Sequence, residues 1–131
     1  MNFIVAVDQE WNIGNNGELL QRISKDMKQF KAKTVNKVVV MGRRTLESFP
    51  GSRPLPDRTN IVLTRQKNFQ VQGVEVCNDY TELFHMLGRY DHDSIYIIGG
   101  GVIYNDLIPY CKTGYITKIH QVFPADTRIT N

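Results

Sequence analysis

The chain has 131 residues, of which 41% are hydrophobic and 22% charged, and its formal net charge is +3 with a sequence pI near 8.9. This composition is typical of a globular protein, and we expect residues 1–131 to form one domain. The basic residues are dispersed, the two cysteines suit neither a disulfide framework nor a metal site, and no stretch resembles a membrane span or signal peptide. We therefore expect a cytoplasmic protein that binds no nucleic acid, membrane or metal.

Strand and helix patterns alternate along the chain, without a linker or an internal repeat. In chain order the predicted elements are strand 2–8, loop 9–23, helix 24–34, strand 37–41, a short helix begun by Gly42, loop 50–57, strand 60–64, strand 73–76, a helix behind Asp79, strand 94–98, helix 102–108 and strand 115–119. The unbroken apolar run at 37–41 is typical of a strand covered on both faces. The pattern predicts an α/β fold with a mostly parallel central sheet flanked by helices.

The helix behind Asp79 has clear local signals. Asp79 and Glu82 have the spacing of a capping box, which favours a helix start at this point. Leu83, Phe84 and Leu87 are expected to form the apolar face that packs on the sheet.

Asp26 lies beside an apolar stripe of the first predicted helix, which includes Met27 and Phe30. It has two interpretations. It is either an ordinary first-turn carboxylate of a helix capped by Ser24, or an acid that faces a cleft. The segment by itself favours the helix-end interpretation.

A run of three glycines, Gly99, Gly100 and Gly101, connects a predicted strand to a predicted helix. Glycines at such a junction let backbone N–H groups approach a phosphate closely. They are equally compatible with a tight turn that needs unusual backbone angles. Neither the dinucleotide fingerprint of a standard Rossmann site nor a P-loop is present.

Arginines follow two other predicted strands. Arg43 and Arg44 come after the strand at 37–41, and Arg65 comes after the strand at 60–64. If both strand ends lie at one edge of the sheet, these guanidinium groups could clamp one anionic ligand through bidentate hydrogen bonds. The alternative for each arginine is a solvated surface position.

Together the motifs resemble the dihydrofolate reductase family over almost the whole chain. The resemblance rests on seven matches in order: Ile4-Val5-Ala6-Val7; Ile13-Gly14; Asp26 with Phe30-Lys31; residues 40–45; residues 53–60; residues 97–101 with Tyr104; and Thr117. It implies the fold of that family, with NADPH as cofactor and dihydrofolate as substrate, in tetrahydrofolate biosynthesis. It also implies binding of antifolate inhibitors, and a monomer.

For the reaction, the resemblance implies hydride transfer from NADPH to the pterin ring, with a proton added to the neighbouring ring nitrogen. Asp26 matches the acid that binds the pterin and favours its protonation, Thr117 matches the hydroxyl that hydrogen-bonds this acid, and Gln21 stands near its water. Arg58 matches the residue that holds the carboxylate of the glutamate tail. The remaining substrate positions by match are Ile4, Val5, Met27, Phe30, Lys31, Phe49, Leu55, Ile98 and Tyr104.

For the cofactor, the resemblance places the nicotinamide by the first strand, the pyrophosphate by the glycine run, and the 2′-phosphate by the arginines. Three cationic groups favour NADPH over NADH, and the loop at 10–20 matches a mobile lid. The matched positions are Ala6, Ile13, Gly14, Gly42, Arg43, Arg44, Thr45, Leu63, Thr64, Arg65, Gly99, Gly100, Gly101, Val102 and Ile103.

The chain departs from the family pattern at three places. Leu20-Gln21 replaces the usual Pro-Trp, and Val102 stands where a cation often follows the glycines. Members of the family also continue past residue 131 into two more strands. If the chain ends there, the strand that holds Thr117 has an open edge, and we expect lower stability and association through that edge.

Two alternatives remain beside dihydrofolate reduction. A riboflavin-pathway reductase shares the fold and the use of NADPH, but acts on a pyrimidine ribityl phosphate. The second alternative is a catalytically weak fragment that binds folate or NADPH, or a non-catalytic or swapped-assembly module that would bind an antifolate yet fail to oxidise NADPH. Asp26, Phe30 and Arg58 favour folate as the substrate.

Overall fold

A computed structural model describes residues 1–7, 12–15, 18–19, 30–118 and 127–128 of the chain. The described strands are β1 (Asn2–Val7), β2 (Asn12–Asn15), β3 (Glu18–Leu19), β4 (Val38–Gly42), β5 (Thr59–Leu63), β6 (Val74–Cys77), β7 (Ile95–Gly99), β8 (Thr113–Lys118) and β9 (Thr127–Arg128). The helices are α1 (residues 30–34), α2 (Arg43–Glu47), α3 (Tyr80–Leu87) and α4 (Gly101–Leu107). Single 3₁₀ turns lie at Pro50–Ser52, His92–Ser94 and Ile108–Tyr110. None of the described helices is long and apolar enough to cross a membrane.

The main sheet has six strands in the order β6-β5-β4-β7-β1-β8, and each of its neighbouring pairs is parallel. This confirms the predicted α/β fold with a mostly parallel sheet. A second, antiparallel sheet has the order β3-β2-β9.

The predicted loop over 9–23 was wrong where β2 and β3 lie. These strands are only four and two residues long, and β2 pairs with β9, which is distant in the sequence. Strands this short show too few alternating positions to produce a local signal.

Both faces of the main sheet are covered, and β4 shows why its sequence is uniformly apolar. Val38 and Val40 pack in one cluster, while Val39 and Met41 pack in the other. All four side chains are at most 4% exposed. Successive side chains of a strand point to opposite faces, so burying both faces requires an unbroken apolar run.

Helix α3 begins as predicted and packs with one difference. The Asp79 side chain accepts a hydrogen bond from the Glu82 backbone N–H at 2.8 Å. Leu83 and Leu87, four residues apart, are buried, but Phe84 is 38% exposed. Leu83 and Leu87 form a row along one side of the helix, and Phe84, the residue after Leu83, lies beside that row. Its side chain therefore reaches only the border of the core, where it contacts the Tyr110 ring.

Among the described residues, β8 pairs with β1 alone, and its Ile116 is 43% exposed. That an open edge at this strand lowers stability or causes association stays a prediction.

Candidate functional site

The carboxyl ends of the parallel strands form one edge of the main sheet. Gly42 pairs with Leu63, Leu63 pairs with Cys77, and Met41 pairs with Gly99. The segments that follow β4, β5, β6 and β7 therefore leave the sheet at this edge. The predicted clamp of three arginines requires that β4 and β5 end at the same edge of the sheet. They do, since Gly42 and Leu63, which precede Arg43 and Thr64, are paired neighbours.

The carboxyl ends of β4 and β7 form a switch point of the sheet, which we name the crevice. The two strands are adjacent, but the chain runs from β4 to β5 on one side and from β7 to β8 on the other. In open α/β sheets, ligands bind outside the carboxyl ends of strands at such a switch point. Gly42 and Gly99 end the two strands, and helices α2 and α4 begin directly behind them.

The glycine run forms a tight turn at this crevice. Gly99 has φ +123°, and a Cβ on it would lie 3.2 Å from Cε2 of the buried Tyr104 ring. Among the described residues, a Cβ on Gly100 would meet only Thr45 Oγ1, at 3.7 Å. The peptide bond between Gly99 and Gly100 is cis. Gly99 is thus required by backbone geometry and packing, while Gly100 keeps open the space beside Thr45.

The starts of α2 and α4 approach each other closely. A Cβ on Gly42 would lie 3.5 Å from Cγ1 of Ile103, and Thr45 is only 2% exposed. The first N–H groups of a helix have no partner within the helix, so two helix starts at one crevice offer donors to an anion.

The arginines have unequal surroundings. Arg43 donates to the Gln66 side chain, and its Nε lies 3.7 Å from the Glu47 carboxylate. Arg44 and Arg65 are exposed. Arg43 is therefore partly engaged within the protein, and Arg44 and Arg65 are the freer candidates for a phosphate.

A cavity of about 340 Å³ lies beside Arg65, between the end of β5 and the start of α4. The residues that line it are Leu63, Thr64, Arg65, Asn78, Asp79, Tyr80, Val102, Ile103 and Asp106. Tyr80 donates its hydroxyl to the Asp106 carboxylate, and burial, followed by this hydrogen bond, raises the pKa of Tyr80. The cavity therefore combines one cation with two acids and a phenol.

Sequence reasoning did not assign Asn78, Tyr80 or Asp106 to the site, although two signals were available. Asn78 and Tyr80 follow the carboxyl end of β6, and Asp106 stands one helical turn after Val102 on α4.

An apolar cluster on the α1 and α2 face of the sheet includes most of the predicted substrate walls. Phe30 and Ile98 are buried in it, and Ile4, Phe49 and Leu55 pack against it. Ile98 directly precedes the glycine run. The structure thus brings these five residues together beside the crevice.

Tyr104 joins the two faces of the sheet. Its ring is fully buried among residues on the α3 and α4 face, and its hydroxyl donates to the Ile4 carbonyl at 2.8 Å. Burial raises the pKa of Tyr104, so the phenol keeps its proton. A carbonyl oxygen has two lone pairs, so the bond from Tyr104 does not by itself saturate the Ile4 carbonyl.

Arg58 lies at the border of the apolar cluster. Its guanidinium carbon is 5.8 Å from the centroid of the Phe30 ring. Its Nε is buried and has no hydrogen-bond partner within the described part of the chain. Burial lowers the pKa of Arg58, and Asp57 opposes that effect. A buried donor without a partner is costly, and an incoming carboxylate would remove that cost.

Several predicted site residues are placed only in part. The Val5 side chain is buried in the core on the α3 and α4 face, away from the apolar cluster, and Lys31 is exposed. For Ala6, Ile13, Gly14 and Thr117 the backbone alone is described; Ala6 pairs with Thr117 across β1 and β8. Asp26, Met27 and Gln21 lie outside the described residues.

In the described ranges, no group of His, Cys, Asp and Glu side chains is arranged to hold a metal ion.

Comparisons with known proteins identify the family. The family model described as dihydrofolate reductase matches residues 1–131. Dihydrofolate reductase of Staphylococcus haemolyticus is 36% identical over 127 residues, which cover 97% of this chain and 74% of that protein. The Bacillus subtilis (strain 168) protein of the same name is 35% identical over 126 residues, covering 96% of this chain and 73% of its own length.

A solved structure is also similar to this chain. It is a dihydrofolate reductase from Enterococcus faecalis, complexed with NADP(H) and RAB-propyl, and it superposes with a TM-score of 0.88 at 39% sequence identity. The match covers 99% of this chain and 76% of that one.

Proposed function

The chain belongs to the dihydrofolate reductase family and is an NADPH-dependent reductase of dihydrofolate, and we propose how its residues divide that work. The observation that carries the proposal is the arrangement at the crevice between β4 and β7. There the glycine turn lies next to Thr45. Ile98 directly precedes Gly99 and Leu46 directly follows Thr45, and both belong to the apolar cluster. A phosphate-accepting turn and an apolar ring-binding wall are therefore adjacent.

We assign the cofactor to the side of the crevice that the glycines form. Gly100 leaves room for a pyrophosphate between Thr45 and the start of α4, because a side chain at this position would occupy that space. Arg44 and Arg65, both exposed at the same sheet edge, would hold the 2′-phosphate, and the cavity beside Arg65 would take the adenosine. NADPH supplies the hydride when it is bound.

We assign the substrate to the apolar side. Phe30, Phe49 and Leu55 would contact the ring system and the benzoyl group, and the unpaired Nε of Arg58 would bind a carboxylate of the glutamate tail. The Ile4 carbonyl, oriented by the Tyr104 hydroxyl, would accept from the pterin amino group.

The proton step is assigned from the family resemblance. Asp26 would hold the pterin and favour protonation of the ring nitrogen, with Thr117 as its hydrogen-bond partner and Gln21 near its water. The backbone supports one part of this assignment, since Thr117 pairs with Ala6 on β1, two residues beyond Ile4.

We also propose a cytoplasmic monomer that binds antifolates. The free thiols of Cys77 and Cys111 suit a reducing compartment. The Enterococcus faecalis relative is complexed with RAB-propyl as well as NADP(H), which supports the binding of small molecules by this chain.

The assignment is tested by following NADPH oxidation with dihydrofolate, in the unmutated chain and in Asp26→Asn. We expect activity that the variant loses most severely near neutral pH, because the amide cannot carry the charge that favours ring protonation. Asp93→Asn is the matched control, since Asp93 is exposed at the opposite, amino end of β7. Turnover of a pyrimidine ribityl phosphate in place of dihydrofolate would contradict the assignment.

A further inference from the structure

Asn60 is a buried amide to which the assigned chemistry gives no role. It is the second residue of β5 and only 2% exposed. Its Oδ1 accepts from the Leu55 backbone N–H at 3.0 Å, and its Nδ2 donates to the Leu55 carbonyl at 2.9 Å and to the Arg58 carbonyl at 3.2 Å. One side chain therefore binds both backbone polar groups of Leu55 and one of Arg58.

These bonds fix a segment that has no regular secondary structure. The residues from 53 to 58 lie outside helices and strands, and Asp57 has φ +60°. The Asp57 carbonyl accepts from the Asn36 N–H at 2.7 Å, which anchors the far side of the segment. In a sheet, the backbone N–H and carbonyl of Leu55 would bond to a neighbouring strand. Here the side-chain amide of Asn60 bonds to both groups instead.

Leu55 and Arg58 are the two proposed substrate contacts in this segment. Leu55 packs against the apolar cluster, and Arg58 places its guanidinium 5.8 Å from the Phe30 ring with Nε unpaired. Where these two side chains can reach depends on the backbone that Asn60 holds. A displacement of about 1 Å in a binding group can cost as much as 100-fold in rate.

We propose that Asn60 is a positioning residue for the tail of the substrate, since it sets the Leu55 wall and the Arg58 guanidinium at the spacing that the benzoyl-glutamate group requires. The inference rests on the proposed substrate roles of Leu55 and Arg58. Only an amide of this length combines one acceptor and two donors in this geometry. A carboxylate is acceptor-only, and it would face the Leu55 and Arg58 carbonyls with an oxygen.

The test compares two substrates in Asn60→Asp: dihydrofolate, and a dihydropterin that lacks the p-aminobenzoylglutamate tail. We expect the KM for dihydrofolate to rise about 10- to 100-fold. The KM for NADPH and the kcat/KM for the tailless substrate should change less than about threefold, because the pterin and cofactor contacts lie elsewhere. The preference for the tailed substrate should therefore collapse.

Asn2→Asp is the matched control. The Asn2 amide is also buried and donates to the Asp93 and Ile95 carbonyls at 3.1 and 3.2 Å, at the amino end of β7 and away from both proposed binding regions. We expect it to leave the preference for the tailed substrate unchanged. In Arg58→Gln, Asn60→Asp should cause a smaller loss than it does in the unmutated chain, since Asn60 acts through Arg58 as well as through Leu55.

Folding of each variant is checked by circular dichroism and denaturant titration, and Asn60→Ser and Asn60→Gln serve if Asn60→Asp does not fold. Equal losses with both substrates, no loss with either, or failure of all three variants to fold would overturn the proposal. If the unmutated chain reduces neither substrate, the proposed function itself fails, whereas an active chain with an unchanged Asn60→Asp preference refutes only this inference.

Discussion

The Gly99→Ala substitution tests whether the glycine turn is as tightly constrained as its geometry indicates. Gly99 has φ +123°, where side chains are rarely accommodated, and the added Cβ would lie 3.2–3.4 Å from three atoms of Tyr104. That ring cannot retreat easily, because it is fully buried and its hydroxyl is bonded to the Ile4 carbonyl at 2.8 Å.

The cost has two parts. An unfavourable backbone conformation costs about 1–3 kcal/mol, and an extra methyl group in a packed core costs about 1–3 kcal/mol. Their sum, about 2–6 kcal/mol, is a large part of the 5–15 kcal/mol that stabilises a typical domain. With a urea dependence of about 2 kcal/mol per M, the unfolding midpoint should fall by about 1–3 M.

Gly51→Ala is the control for the backbone part alone. Gly51 also has a positive φ, +66°, but it is exposed and its nearest neighbours are atoms of the flexible Arg53 side chain. We expect this change to cost about 1–2 kcal/mol. If Gly99→Ala loses no more stability than Gly51→Ala in urea titrations, the packing against Tyr104 has been misjudged.

Three further predictions concern the cofactor and the core. Gly100→Ala should weaken NADPH binding in a fluorescence titration while changing the urea midpoint little, because within the described part of the chain its Cβ meets only Thr45 Oγ1, at 3.7 Å; unchanged affinity would show that no phosphate lies there. Arg44→Gln and Arg65→Gln should raise the KM for NADPH and not for NADH, whereas Arg53→Gln, equally exposed, should raise neither. Burial, together with Glu82 and Asp79, raises the pKa of Cys77 from 9.0 to about 12. Folding then favours the neutral thiol, so this contribution to stability is complete below pH 9 and is lost as the pH rises towards 12. The melting temperature should therefore fall less steeply over that range in Cys77→Ala; parallel curves would contradict the assigned shift.

The elements that could be predicted from the sequence are those whose signal is local. The apolar run of β4 follows from burial on both faces, and the start of α3 follows from the Asp79 side chain, which caps a helix within three residues. That Arg43 and Arg65 lie at one edge of the sheet could be predicted as soon as the strands before them were inferred to be parallel.

What could not be predicted depends on contacts between distant segments or on competition between side chains. The bond from Tyr104 to Ile4 joins residues 100 positions apart, and β2 pairs with a strand near residue 127. The contacts of Arg43 with Gln66 and Glu47 could not be predicted either, and its role as a phosphate ligand stays a prediction. Asn60 stood within a matched motif, yet three specific hydrogen bonds, and no sequence pattern, reveal what it holds.

The most direct test of the central claim is the rate of NADPH oxidation by this chain in the presence of dihydrofolate, measured across pH for the unmutated chain and for Asp26→Asn. The account predicts dihydrofolate-dependent oxidation, with NADPH preferred to NADH, and a loss in Asp26→Asn that is greatest near neutral pH and smaller in acid, where the substrate is protonated by solvent. Oxidation that is independent of dihydrofolate, or an Asp26→Asn variant as active as the unmutated chain at neutral pH, would contradict it.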